Sequence, residues 1–339
     1  MLGWRQPPEL CEVPVPEPGP GEVLIKVAGA GACHSDLHLM EWPEGAVPYV
    51  LPFTLGHENA GWVEATGDGV DGFAAGDAVA VCGPWGCGRC RECRRGRETL
   101  CERMGRSGVW GGGLGRDGGM AEFMLVPDAR LMIALDGLDP RDAAPLTDAA
   151  LTPYHAIKRS LPLLVPGATA VLIGIGGLGH LGVQLVRALS AARVIAVDLS
   201  AEKLRLARSV GAHETVESGP GAAEVIRELT GGLGAELVVD FVGADATMAL
   251  AAAAVRRGGD AAIVGLAGGS LRYALGTMPF DATLTTPYWG TASELGEVLA
   301  LARAGAITAH TQRFPLERVG EAYDALRDGT LEGRAVICP

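Results

Sequence analysis

The sequence predicts an α/β protein in two parts, a β-rich first third followed by a parallel sheet covered by helices. In the first third, short apolar runs with partial period-two alternation are separated by glycine and proline turns. From Ala168 onward, apolar strands alternate with segments of helical spacing, which is the pattern of a parallel sheet with helices on both faces. The length of 339 residues also exceeds that of one ordinary domain.

The individual elements follow from these patterns. In the first part, strands are predicted over 22–27, 61–65 and 77–81. In the second part, strands are predicted over 169–173, 193–197, 237–241 and 261–266. Helices are predicted from Leu178, after an N-cap at Ser200, and over 222–230 and 246–257. Between Cys82 and Gly119 the alternation of apolar residues is lost, and glycine, arginine and cysteine predominate. An apolar core cannot order such a segment, so we expect another interaction to stabilise it.

Charge and composition exclude some classes of partner. The formal net charge of −12 argues against nucleic acid and anionic membranes, both of which call for a basic face. Residues 1–12 lack a basic-then-apolar signal pattern, and the most apolar long window, 168–186, is interrupted by five glycines. We therefore expect a cytoplasmic protein. In that compartment the eight cysteines are expected to be ligands, nucleophiles or core residues rather than disulfides.

Four closely spaced cysteines form the strongest motif, Cys-x2-Cys-x2-Cys-x7-Cys at Cys87, Cys90, Cys93 and Cys101. One loop can wrap four such thiolates around a single zinc ion, and a closed site of this kind stabilises folding instead of performing chemistry. Four unrelated core cysteines are one alternative, although the intervening residues are not of core type. A nucleic-acid zinc module is the other, against which stand the acidic chain and the lack of a ββα framework.

A glycine motif follows the strand predicted over 169–173. The glycines of Gly-x-Gly-x-x-Gly open a predicted helix, and Asp198 ends the next strand. This context predicts dinucleotide binding, with the backbone close to the pyrophosphate and the carboxylate on the ribose, which favours NAD over NADP. The alternative is a glycine turn that merely packs a helix on a strand. The residues assigned to this loop are Gly174, Gly176, Gly177, Leu178 and Gly179.

A third set of residues is dispersed along the chain. It comprises three short stretches, 33–38, 56–59 and 147–148, which contain cysteine, histidine and carboxylate residues of metal-ligating type. From spacing alone, joint metal binding and ordinary roles in packing, at the surface or as a helix cap stay equally open.

Over essentially the whole chain, the order of these motifs resembles the zinc-dependent medium-chain dehydrogenase/reductase family. The resemblance rests on Gly-Ala-Cys-His-Ser-Asp at 31–36, Gly-His-Glu-Asn-Ala-Gly at 56–61, the four cysteines and the glycine fingerprint. Segments 144–155 and 286–291 narrow it to bacterial NAD-dependent secondary alcohol dehydrogenases. The first residues, 1–4, are several residues short of the family's usual first strand, which puts that strand in doubt.

The resemblance implies a GroES-like β-rich catalytic domain and a Rossmann cofactor domain. The catalytic domain would comprise residues 1–150 and 288–339, with a structural zinc lobe at about 82–105, and the cofactor domain 151–287. Two zinc ions per subunit and NAD(H) are implied. The implied reaction is reversible oxidation of alcohols, with secondary alcohols preferred, to ketones or aldehydes, and a polyol or amino-alcohol substrate is the alternative. The assembly implied is a homotetramer, or a homodimer.

The family's site residues carry over by position. Cys33, His57 and Asp148 would hold the catalytic zinc, although many relatives have cysteine where this chain has Asp148. The residues implied around the metal are Asp36, which orients His57, Glu58 beside the zinc, and Ser35 and His38, which pass the alcohol proton by way of the nicotinamide ribose. Those implied at the cofactor, beyond the glycine loop, are His34, Thr152, Asp198 and Lys203, and those of the substrate pocket wall are Tyr49, Leu114, Tyr288 and Trp289.

Two rivals come from other classes of protein. A cofactor-binding regulatory or structural protein would have lost a metal ligand or a member of the proton relay, and none is missing here. A zinc-stapled nucleic-acid binder would need polyanion binding that the acidic chain disfavours.

Overall fold

A computed structural model of the protein describes residues 1–104 and 110–339. Residues 105–109, at the end of the predicted zinc lobe and inside the irregular segment 82–119, lie outside the described residues. The chain divides into two compact units. Unit 1 comprises Met1–Leu151, Trp289–Arg303 and Ala309–Pro339, and unit 2 comprises Thr152–Tyr288 and Ala304–Thr308.

The first part of the chain is β-rich, as the alternating apolar runs predict. Its elements are β1 (Val23–Ala32), α1 (His34–Glu41), β2 (Glu58–Thr66), β3 (Ala78–Val81), β4 (Gly111–Gly112), β5 (Gly115–Arg116), β6 (Phe123–Val126), β7 (Met132–Ala134) and α2 (Pro140–Ala143). Short 3-10 helices lie at Cys93–Arg95, Glu98–Leu100, Ala129–Leu131 and Ala144–Thr147.

The middle of the chain alternates between strand and helix. Its elements are α3 (Leu151–Lys158), β8 (Thr169–Ile173), α4 (Gly179–Leu189), β9 (Arg193–Asp198), α5 (Ala201–Ser209), β10 (Glu214–Glu217), α6 (Ala222–Leu229), β11 (Ala235–Asp240), α7 (Asp245–Ala254), β12 (Val255–Ile263) and β13 (Thr283–Thr285). The chain then adds α8 (Ala292–Arg303), β14 (Thr311–Pro315), α9 (Val319–Arg327) and β15 (Arg334–Cys338). Further 3-10 helices lie at Leu161–Leu163 and Leu316–Arg318.

The sheet of unit 1 has the strand order β14-β15-β1-β2-β3-β7, with β6 also paired to β1. Alternate valines and isoleucines of β1 point into a core that they share with Trp85 and Met124. Strands β1 and β2 are antiparallel, with Gly31 opposite Glu58. The end of β1 therefore lies beside the start of β2, which brings Cys33 and His57 to the same edge of the sheet.

The sheet of unit 2 has the order β10-β9-β8-β11-β12-β13, and all of its strand pairs are parallel. Counted along the chain this is the order 3-2-1-4-5-6 of a dinucleotide-binding sheet. Strand β8 is fully buried, as expected for a strand covered on both faces. The predicted α/β architecture with a parallel sheet is confirmed, and so is the cap at Ser200, whose Oγ accepts a hydrogen bond from the Lys203 N–H at 3.4 Å.

One predicted element is wrong. The helix expected over 246–257 ends at Ala254, and β12 begins at Val255 rather than at residue 261. Val255 has extended backbone angles and pairs with Ala235 in the neighbouring strand. The helix therefore ends before the Gly258-Gly259 turn, at which the helical pattern predicted its end. The β-bulge between the Ala235 and Leu237 pairings accommodates the extra residues.

Across residues 1–104 and 110–339, no helix has both the length and the apolar character needed to cross a membrane.

Candidate functional site

Four side chains with metal-binding atoms converge in unit 1. One ligand atom each from Cys33, His57, Glu58 and Asp148 lies within 4.8 Å of all the others. The Cys33 Sγ is 4.0 Å from Asp148 Oδ2, and His57 Nε2 is 3.8 Å from the same oxygen. All four residues are at least 90% buried. The structure therefore brings together the three residues that the sequence proposes as catalytic metal ligands.

Asp36 contacts both Cys33 and His57. It lies in the first turn of α1, where its Oδ2 accepts a hydrogen bond from the Cys33 backbone N–H at 3.0 Å. Its Oδ1 lies 3.1 Å from His57 Nδ1. An Nδ1–H donated to a carboxylate leaves Nε2 with the free lone pair that a metal needs. Asp36 thus lies against His57, the residue that the family resemblance implies it orients.

Glu58 forms a buried ion pair that sequence reasoning missed. Arg334 Nε donates to Glu58 Oε2 at 3.0 Å, and Arg334 Nη2 donates to Glu58 Oε1. The same Nη2 lies 3.6 Å from Asp148 Oδ2. A Cβ on Gly31 would lie 1.8 Å from Glu58 Oε2, so only glycine leaves room for this carboxylate.

The charges of this cluster favour a bound cation. Burial alone would raise the pKa of the Cys33 thiol, but Arg334 and His57 outweigh burial and hold this pKa below its ordinary value. Burial lowers the pKa of His57, yet Asp36 and Asp148 raise it well above the ordinary value. The Cys33 thiolate and the nearby carboxylates thus favour a positive charge at this position. The single guanidinium of Arg334 cannot neutralise all of these negative groups. A divalent ion bound by sulfur, nitrogen and oxygen fits this donor set.

Trp289 packs against His57. Its ring is edge-on to His57 at 5.4 Å between centroids, and its Nε1–H donates to the Thr147 carbonyl at 2.9 Å. Of the other predicted pocket residues, Leu114 is buried, whereas Tyr49 packs edge-on against Phe53 and Trp110. Tyr288 belongs to unit 2 and is 39% exposed. Trp289 is thus in contact with His57, one of the proposed metal ligands.

The three remaining predicted residues of α1 are more accessible than Cys33 and Asp36. His34 is exposed, while Ser35 and His38 are half-buried. The Ser35 Oγ lies 3.6 Å from Cys33 Sγ, and His38 follows three residues later on the same face of the helix. Ser35 therefore lies beside the group of four side chains with metal-binding atoms, and His38 lies one helical turn further along α1.

The four cysteines of the zinc lobe also converge. Their sulfurs all lie within 4.8 Å of one another, with Cys87–Cys93 and Cys90–Cys101 at 4.0 Å. Tetrahedral zinc with bonds of about 2.3 Å requires sulfurs about 3.8 Å apart, so the donor set fits. Gly86 has a φ of +56° and lies where a Cβ would meet Cys93 Sγ at 2.8 Å, so this turn requires glycine.

Backbone amides and burial act oppositely on these thiols. The backbone N–H groups of Arg89 and Cys90 lower the pKa of Cys87 to about 6. Burial raises the pKa of Cys93 to about 12. The four sulfurs cannot all ionise at neutral pH without a cation, and a zinc ion supplies the missing charge.

The glycine loop lies at the carboxyl end of β8 in unit 2. Gly174 has a φ of +86°, and a Cβ on Gly179 would lie 2.0 Å from the Gly174 carbonyl oxygen. A Cβ on Gly176 would have nothing within 4 Å, so the backbone there is open to a ligand. Gly177 and Leu178 are half-buried and lead into the N-terminus of α4. The loop thus has the close packing and the open backbone that a pyrophosphate site needs.

Asp198 ties this loop to the next strand. Its Oδ2 accepts from the Ile175 N–H at 2.7 Å and its Oδ1 from the Ser200 N–H at 2.9 Å. Each oxygen keeps a second lone pair for ribose hydroxyls. Lys203 lies in the first turn of α5, and Thr152 is buried in the first turn of α3.

Comparison with known proteins identifies the family of the chain. Residues 19–136 match the model of the alcohol dehydrogenase GroES-like domain, and residues 177–304 match that of the zinc-binding dehydrogenases. The chain belongs to the zinc-dependent medium-chain dehydrogenase/reductase family. The predicted GroES-like and Rossmann fold class is thereby confirmed, as are zinc and NAD as the cofactors of this family member.

Several members of the family are similar over nearly their full length. An NAD-dependent alcohol dehydrogenase of Sulfurisphaera tokodaii is 36% identical, over 98% of this chain and 97% of that protein. A D-arabinose 1-dehydrogenase (NADP⁺) of Saccharolobus solfataricus is 33% identical, over 99% and 95%. The crystal structure of the Aeropyrum pernix alcohol dehydrogenase superposes with a TM-score of 0.91 at 34% identity, over 100% of this chain and 98% of that one.

Sequence reasoning missed three residues that lie around this candidate metal site. Arg334 and Tyr323 reach it from 276 and 287 residues beyond their partners, and neither stands in a recognisable motif. Gly31 carried a signal, since it begins the 31–36 motif, but its contact with Glu58 depends on the register of two strands.

Proposed function

We propose that the protein is a zinc-dependent, NAD-linked alcohol dehydrogenase that reversibly oxidises secondary alcohols to ketones, and primary alcohols to aldehydes. The buried cluster of Cys33, His57 and Asp148 is the observation that carries this proposal. When bound there, zinc would polarise the substrate oxygen, while NAD would accept the hydride. Three protein ligands leave one coordination position open, as a catalytic site requires.

The residues around this cluster each have a proposed task. Asp36 holds the His57 ring so that Nε2 faces the metal position. The Ser35 hydroxyl, beside Cys33, would accept the proton of the alcohol while it gives its own proton to the nicotinamide ribose, and His38 would take a proton from the ribose and pass it on to solvent. Glu58 is held back by Arg334 and stays within reach of the metal position.

Cofactor binding is proposed for unit 2. The open backbone at Gly176 and the N-terminus of α4 would bind the pyrophosphate. Asp198 and Lys203 would contact the adenosine ribose, and Thr152 the nicotinamide, with His34 near the pyrophosphate. The negative charge of Asp198 would repel a 2′-phosphate, which favours NAD over NADP.

The preference for secondary alcohols is proposed from the apolar side chains near the metal. Trp289 packs on His57, and its hydrogen bond to Thr147 holds the ring in place. An apolar wall of this kind favours alkyl and aryl substituents over polyols. Tyr49, Leu114 and Tyr288 are proposed as further parts of the pocket wall.

We propose that residues 1–150 and 288–339 form one domain and that residues 151–287 form the other. The two compact units support this division, because unit 2 begins after Leu151 and its long segment ends at Tyr288.

We also propose a homotetramer or homodimer. The exposed apolar side chains of Tyr273, Leu275 and Phe280 lie near strand β13, at an edge of the sheet of unit 2, and support this assembly. A cytoplasmic location is proposed because both zinc sites require reduced cysteines.

Metal analysis and steady-state kinetics test the catalytic proposal. Wild-type protein is expected to hold two zinc ions per chain and to reduce NAD⁺ with secondary alcohols faster than with primary alcohols or polyols. His57→Ala should hold one zinc and lose turnover while NADH binding, followed by fluorescence, is retained. Fewer than two zinc ions in fully active protein, or full turnover in His57→Ala, would refute the proposed site.

A further inference from the structure

A buried tyrosine from the last helix reaches the carboxylate behind the metal cluster. Tyr323 lies in α9, which packs against α1, and is only 3% exposed. Its hydroxyl lies 3.2 Å from Asp36 Oδ2 and 2.9 Å from the Met120 sulfur. A hydroxyl has one proton to donate, and a carboxylate is a far stronger acceptor than a thioether. The greater acceptor strength of the carboxylate therefore favours Asp36 as the acceptor, although the sulfur is nearer.

This contact completes the hydrogen bonding of Asp36. The carboxylate faces the His57 ring through Oδ1, and its Oδ2 accepts from the Cys33 backbone and from Tyr323. Asp36 itself is fully buried, so an unsatisfied oxygen there would be costly. Burial and the charge of Asp36 raise the pKa of Tyr323 well above its ordinary value, so the phenol keeps the proton that it donates.

We propose that Tyr323 is a positioning residue for the catalytic metal, acting through Asp36 on His57. The hydroxyl fixes the plane of the Asp36 carboxylate. That carboxylate in turn fixes the orientation of the His57 ring and keeps the proton on Nδ1. The inference rests on the proposed catalytic zinc site, because it concerns the affinity of that site.

Tyr323→Phe removes the hydroxyl and keeps the ring. Partners behind a metal ligand change metal affinity by roughly 10- to 100-fold. We expect the dissociation constant of the catalytic zinc, measured by competition with a chromophoric chelator, to rise by at least about tenfold. The four-cysteine site serves as an internal control and should keep its zinc. With cobalt in the catalytic site, the visible absorption bands should shift, because the His57 ligand is reoriented.

Three further variants separate this role from simple packing. Tyr273→Phe makes the same chemical change on a residue of unit 2 that belongs to neither group of metal-binding side chains, and should leave both zinc affinities unchanged. Met120→Leu removes the alternative acceptor and should also leave zinc affinity unchanged. In an Asp36→Asn background, Tyr323→Phe should add little to the loss of affinity, because the two residues act in one chain.

The outcomes distinguish this inference from the function on which it rests. If the wild-type protein held only one zinc ion, the proposed catalytic zinc site would itself be refuted. Two zinc ions in the wild type, with unchanged catalytic zinc affinity in Tyr323→Phe, would overturn the inference alone. It would also be overturned if both zinc sites weakened equally, or if the effects of Tyr323→Phe and Asp36→Asn on zinc affinity were additive.

Discussion

Gly31 is expected to be one of the least replaceable residues of unit 1, because it lies against a buried ion pair. A Cβ at this position would lie 1.8 Å from Oε2, 2.7 Å from Cδ and 2.9 Å from Cβ of Glu58. No rotation of a distant atom relieves three such contacts, so in Gly31→Ala the Glu58 side chain must leave its place. Arg334 then loses both of its hydrogen bonds to that carboxylate.

The magnitude follows from the burial of the pair. Glu58 is 0% and Arg334 2% exposed, so the guanidinium has no water to replace its lost partner. Breaking a buried ion pair by removing one partner costs about 3–5 kcal/mol. We therefore expect Gly31→Ala to lower the free energy of unfolding of unit 1 by about 3–5 kcal/mol.

Tryptophan fluorescence isolates this effect. All six tryptophans of the chain lie in unit 1, so their emission during denaturant unfolding reports on that unit alone. Gly296→Ala is the matched control, since Gly296 lies within α8 of the same unit and a Cβ there would have nothing within 4 Å. That variant should be equally or slightly more stable, by up to about 1 kcal/mol. If the stabilities of Gly31→Ala and Gly296→Ala matched, the reasoning would be refuted.

Three other changes have expected outcomes. Cys101→Ser should reduce the zinc content from two ions to one per chain and destabilise the zinc lobe, as metal analysis and limited proteolysis would show. Asp198→Ala removes the acceptor of the Ile175 N–H and the charge that opposes a 2′-phosphate, so the KM for NAD⁺ should rise roughly 10- to 100-fold and the preference over NADP⁺ should fall. Trp289→Ala removes the ring that packs on His57, so kcat/KM for bulky secondary alcohols should rise relative to 2-propanol.

Each of these has a control. Cys11→Ser changes an exposed cysteine and should retain both zinc ions. Asp198→Asn keeps an acceptor oxygen, so its KM for NAD⁺ should lie between those of the wild type and Asp198→Ala. Trp62→Ala, on a residue of β2 outside the metal cluster, should not change the ratio between bulky and small alcohols. A Cys101→Ser protein with two zinc ions, an unchanged cofactor preference in Asp198→Ala, or an unchanged substrate ratio in Trp289→Ala would contradict the corresponding expectation.

Features written in short stretches of chain were predictable from the sequence. The four cysteines lie within fifteen residues, so their spacing alone allows one loop to bring the sulfurs together. The glycine loop and Asp198 belong to one strand-helix-strand unit, whose geometry is nearly constant in parallel sheets. The helix before β12 was predicted too long, which shows where local patterns fail. Strand pairing between Val255 and Ala235 outweighed the local helical preference.

The amino-acid sequence by itself determined the α/β class, the zinc lobe and the dinucleotide loop, because local spacing and periodicity specify each of them. Spacing alone left open whether the stretches 33–38, 56–59 and 147–148 bind a metal together, and the family resemblance named Cys33, His57 and Asp148 as the ligands. Only the tertiary structure decided that these three converge with Glu58 within 4.8 Å, that Arg334 neutralises Glu58, and that Tyr323 reaches Asp36. These contacts depend on the register of β1 with β2 and β15 and on the packing of α9 against α1, which no local pattern encodes.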